Sequence, residues 1–120
     1  MTAYHDLQRR LTEMFIDADP TSVVLVPTVT TKSANGGQLK QDGTPRTSQT
    51  FKLSSLNPAN RPTVVSDGRE RVADYAMIGR YDATIAVGDH WTMPDGRRAE
   101  VIMMQEGFGY MTKVLVEAHG

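Results

Sequence analysis

From residue 83 to residue 118, Gly and Pro cut the chain into short alternating runs, and this punctuation constrains the fold more than any other feature. Ala83, Ile85 and Val87 alternate with Thr84 and Ala86 before Gly88-Asp89. His90-Trp91-Thr92-Met93 leads into Pro94-Asp95-Gly96, where Pro presets φ and Gly accepts a positive φ. A run over 97–105 carries Ala99, Val101 and Met103, and the last run, 110–118, follows Gly107-Phe108-Gly109. Alternation with a period of two marks strands with one buried face. Short strands at this spacing predict a mostly β chain, folded as a small antiparallel barrel or sandwich.

The first half adds one helix and one anomaly. Tyr4, Leu7, Leu11, Met14 and Phe15 recur at spacings of three and four, which predicts an amphipathic helix over 4–16. Thr2 is its candidate N-cap, Asp6 favours its dipole, and Asp19-Pro20 ends it. Its apolar face packs on its own domain or docks on a neighbouring subunit; both remain open. Residues 21–30 are rich in Val and Thr and predict a strand, with Pro27 placing it at an edge or a bulge. Strands are also expected over 49–56 and 63–65, and over 69–79 in preference to a helix. Between them, 32–50 has no hydrophobic period, and Leu39 is its only large apolar residue. Gly36-Gly37, Asp42-Gly43 and Pro45 interrupt it, and its charged residues, Lys32, Lys40, Asp42 and Arg46, give a positive balance. A polar stretch of this length is expected to be a long flexible loop with a functional role.

Length and composition exclude several classes of function. The 120 residues make one domain, and an apolar share of 39 % allows only a modest core. The net charge of −1 confines any attraction to nucleic acid to a local patch. Without Cys there is no disulfide, thiolate metal site or cysteine nucleophile, which suits a reducing cytosol. No signal-like start is visible, and the longest apolar run, 23–26, is stopped by Pro27, so a soluble chain that does not enter membranes is expected.

No constellation of residues suggests catalysis. His5, His90 and His119 lack the spacing of a metal pair. Asp89-His90 with Ser66 resembles a triad in composition, but no nucleophile elbow presents that serine. Asp67 with Glu70 and Asp95 with Glu100 lie beside Arg69, Arg71, Arg97 and Arg98, a pattern expected of surface ion pairs. No phosphate or calcium loop is present, so neither a cofactor nor a metal is expected, and the chain is not expected to be an enzyme. Trp91, Met93, Met103, Met104, Phe108 and Met111 gather near two turns. They fill the core or form a subunit interface, with Trp91, Met93, Phe108 and Met111 the interface candidates.

The C-terminal third resembles the head-closure, or head-to-tail stopper, proteins of long-tailed bacteriophages, those of actinobacteriophages in particular. The residues that carry the likeness are Tyr81-Asp82, Ile85, Gly88-Asp89, Trp91, Asp95-Gly96, Ala99-Glu100-Val101 and Gly109-Tyr110 through Lys113. The layout of helix, Val-rich strand, polar loop and barrel strands agrees over the rest of the chain, while Glu100 stands where that group often carries Tyr. The likeness implies a homo-oligomeric ring in the virion neck, made in the bacterial cytoplasm. Portal and adaptor proteins would lie above it, and the tail terminator or tail tube below. It also implies that the loop 32–50 is a gate whose Lys32, Lys40 and Arg46 face packaged DNA without reading its sequence. Two alternatives are a tail terminator, which should be more helical, and a small single-stranded nucleic-acid-binding barrel, for which the aromatics are few.

Overall fold

The computed structural model describes residues 3–32, 34, 36–57, 59, 61–66, 68–105 and 109–119. Among these residues one helix, α1 (Ala3–Ala18), precedes ten strands. In chain order these are β1 (Thr21–Val23), β2 (Thr28–Lys32), β3 (Gln38–Asp42), β4 (Gln49–Ser55) and β5 (Thr63–Ser66), then β6 (Arg69–Val72), β7 (Tyr75–Arg80), β8 (His90–Thr92), β9 (Arg98–Gln105) and β10 (Met111–His119). Six form an antiparallel sheet in the order β1-β4-β7-β10-β9-β8, and β2-β3 and β5-β6 are separate two-stranded ribbons. The two sheet edges nearly meet. Val26, just beyond β1, and His90 of β8 exchange both backbone hydrogen bonds, at 2.9 and 3.0 Å, so a single bridge almost closes the sheet into a barrel. Pro27 follows at once; lacking an N–H, it ends the pairing at the edge where the sequence placed it.

Alternation decides what lies inside. On β10, Val114 and Val116 point into the barrel with Phe51, Met77 and Val101, while Leu115 points outward. Val116 lies opposite Val101 but Leu115 lies opposite Met103, so Ile102 is the extra residue of a bulge. Ile102 joins Leu115, Ala73 and Ala76 in a second, outer cluster, against which Leu56 and Val64 pack. Trp91 and Met93 are 9 % and 8 % exposed and belong to the inner core, so neither is available as the interface residue the sequence suggested. Met111 is half-buried at the start of β10, and Phe108 lies outside the described residues.

Close packing shows at Gly79 on β7. A Cβ there would sit 2.6 and 2.7 Å from two ring atoms of Phe51, itself 1 % exposed. Gly79→Ala is therefore expected to destabilise the fold by about 1–3 kcal/mol, read as a lower urea midpoint with an unchanged slope.

Two expectations need correction. Residues 83–87 alternate like a strand yet form none: Ile85 is buried, but the N–H and C=O of Thr84 are taken by the Gln49 side-chain amide, at 2.8 Å each. The side chain does there what a neighbouring strand would do. The stretch 32–50 is not a flexible loop throughout, because β2 pairs with β3 from Thr28↔Asp42 to Lys32↔Gln38. The ribbon escaped detection because every β3 side chain is exposed, so no buried face imposes a period.

The outer ribbon β5-β6 is held by a buried cation. Arg71 is 5 % exposed and donates to Glu117, with Nε at 3.0 Å and Nη2 at 2.7 Å, and to Glu100. Burial alone would lower its pKa, but the hydrogen bonds and charges of Glu117 and Glu100 raise it above the ordinary value. The pairing of Arg71 with Glu100 is thus internal, whereas Arg97 with Asp95 is the surface pair that the sequence pattern suggested. In that turn the Arg97 backbone N–H, and then its guanidinium, hold the Asp95 carboxyl below the usual carboxylate range.

Candidate functional site

Two surfaces stand out, at opposite ends of the barrel strands. The first is α1. Asp19 donates to the Ile16 carbonyl at its end, and the helix seats on the sheet through Thr12 and Ile16, which are 8 % and 2 % exposed. Polar clamps fix it there. Arg9 stacks over the Tyr81 ring at 3.6 Å and donates to the Gly109 carbonyl, Glu13 meets Arg80 at 3.0 Å, and Asp19 meets Lys52 at 2.6 Å. The stripe that the sequence left open between packing on its own domain and docking on a neighbour points to solvent. Leu7, Leu11, Met14 and Phe15 are 52 %, 54 %, 64 % and 49 % exposed. Beside the helix lies a cleft of about 390 Å³ bounded by Glu13, Asp17, Asp82 and Arg80. Its excess charge is negative.

The second surface is built around the β2-β3 ribbon, which is tied to the barrel rim at its base. Thr28 donates to the Gly88 carbonyl at 2.7 Å, Gly43 N–H to the Pro27 carbonyl at 2.7 Å, and Arg46 N–H to the Leu25 carbonyl at 2.8 Å. Asp42 meets His90 Nε2 at 2.9 Å. Asp89, 1 % exposed, accepts from Arg46 Nε at 2.8 Å and Nη2 at 3.2 Å, and from the Ala86 N–H at 3.0 Å. Between ribbon and barrel lies a cleft of about 420 Å³ lined by Lys40, Arg69, Arg71 and Arg98, with Asp42 and Glu100. Four cations face two carboxylates. Arg69 and Arg98 are exposed, and among the described residues neither has a carboxylate partner.

The residues named from the sequence are thus separated. Lys32 is exposed at the end of β2, Lys40 enters the cleft, and Arg46 is paired with Asp89 at 2.8 Å. Arg69 and Arg98 went unrecognised because each sat in a charge cluster read as self-paired; the surplus of Arg at both turns was the available signal. Asp89 and His90, adjacent in sequence, serve different partners, Arg46 and Asp42, and the Ser66 side chain lies outside the described ones. Among the described residues no group of three or more His, Asp or Glu could hold a metal ion, and no helix is long and apolar enough to cross a membrane. No family model matches the chain, and no curated protein matches it.

Proposed function

We propose that this chain is a non-catalytic ring subunit of a bacteriophage neck, a head-to-tail stopper that helps close the DNA-filled capsid and joins it to the tail. The observation that carries the assembly half of this reading is the outward-facing stripe of Leu7, Leu11, Met14 and Phe15. Four large apolar side chains in a row on a fixed helix make a contact surface, since a lone subunit gains nothing by presenting them to water. The neck setting rests on the likeness of residues 75–120 to head-closure proteins, and a single helix of 16 residues among the described residues favours a stopper over the more helical terminator.

In this proposal the gate is a hinged arm and not a slack loop. The β2-β3 ribbon reaches toward the ring axis, and Lys32 and Lys40 meet DNA phosphates without sequence preference. Portal and adaptor proteins would lie above the ring, and terminator or tail tube below. Replacing residues 31–39 with an Asn-Gly turn would keep the Thr30↔Lys40 pair and remove the arm. Particles carrying this change are expected to lose their genomes before tails attach, measured as packaged DNA protected from nuclease. Particles that stay sealed at the normal level reject the gate.

The cationic cleft favours a second reading, a single-stranded nucleic-acid-binding barrel. Under it the purified protein binds oligonucleotides tightly at low salt and loses that affinity steeply as salt rises.

A further inference from the structure

We propose that copies of this chain join head to tail, with the α1 surface of one copy seated on the cationic barrel rim around Arg69 and Arg98 of the next, clear of the ribbon's tip. This rests on the ring reading above and adds the two faces and their polarity. The surfaces cannot meet within one molecule. Through Arg9 and Arg80, α1 is clamped at the Gly109–Met111 end of β10, whereas Arg98 of the cleft lies opposite His119 at the other end. Nine strand residues separate those ends, roughly 30 Å at about 3.3 Å per residue.

Charge matches the two surfaces. The α1 cleft sets Glu13, Asp17 and Asp82 against one guanidinium, that of Arg80; the ribbon cleft presents the exposed Arg69 and Arg98, while its Arg71 is taken up by Glu100 and Glu117. The excesses are opposite in sign, so each surface repels its own kind and attracts the other. Apolar area accompanies the charge on both sides. Leu11 and Met14 project from α1, while Val87 beside the cleft is 52 % exposed. Two different complementary faces make a heterologous contact, the kind that generates rings when its rotation closes.

The test uses two full-length variants, each blocked on one face. Leu11→Asp alters α1 at an exposed position, and the double change Arg69→Glu and Arg98→Glu reverses the cleft. Melting curves like that of the parent protein would show that both fold. In sedimentation velocity the parent protein is expected to form oligomers that weaken with salt, and each variant alone to self-associate about tenfold or more weakly. Mixed one to one, the variants are expected to form a heterodimer and nothing larger, because the mixture retains one intact α1 face and one intact cleft per pair. If the cleft variant assembles as well as the parent, the contact is not head to tail. The inference then fails, while the ring reading stands. The inference also fails if the mixture stays monomeric, if the parent protein never assembles, or if the cleft variant loses only binding to a thirty-residue oligothymidylate. The gate keeps its own test in the sealed-particle experiment.

Discussion

Arg71→Met is expected to cost about 3–5 kcal/mol at neutral pH, measured by urea unfolding. Glu100 and Glu117 are direct cross-strand partners on β9 and β10, a pairing that like charges make unfavourable. Arg71 turns this repulsion into attraction by bonding both. Without it, two carboxylates that are 22 % and 18 % exposed face each other with only the His119 imidazole, 3.4 Å from Glu117, beside them. The sign of the pH response follows. In the variant, a carboxylate beside its like neighbour takes up a proton more readily folded than unfolded, so stability returns as pH falls and is lost as pH rises. The deficit should therefore shrink between about pH 7 and pH 5. Adding Glu117→Gln should recover part of it at neutral pH. A deficit independent of pH would mean that lost packing of the Arg71 stem, and not charge, is responsible.

Asp89→Ala is expected to cost about 3–4 kcal/mol, because it strips a buried carboxylate from a bidentate arginine and orphans the Ala86 N–H. Asp89→Asn keeps an acceptor for that N–H and should lose roughly half as much. Arg46→Met leaves the buried charge in place without its partner and should match the alanine variant. The loss should also be local. Arg46 joins the ribbon to the rim, so amide exchange across β2 and β3 should accelerate more than exchange across β9 and β10. Equal acceleration everywhere would contradict this placement.

What could be read in advance depended on whether a residue's neighbours were near in sequence. The turn at 94–96 and the strands on either side follow from local chemistry and from alternation, and both are present. Residues 83–87 show the limit: alternation states which faces differ, but a strand also needs an edge to pair with, and Gln49 occupies that position here. On α1 the periodicity located the helix but not its seat. Ile16, one residue beyond the stripe, is the anchor, while the stripe itself faces outward. The choice was made by Arg9, Glu13 and Asp19, whose partners lie far along the chain. The cleft was illegible for a related reason. Arg69, Arg71 and Arg98 look alike in sequence, and only the fold gives one of them two half-buried carboxylate partners and leaves the others without any among the described residues.

The near-closure of the sheet couples the ribbon to the barrel. Val26 and His90 hold the seam with one reciprocal pair of backbone bonds, and His90 also takes the Asp42 carboxylate at the foot of the arm. Leverage on the arm is therefore delivered to this seam, which the Thr28–Gly88 bond and the Arg46–Asp89 pair also hold, so displacement of the arm would register as faster deuterium uptake at the Val26 and His90 amides.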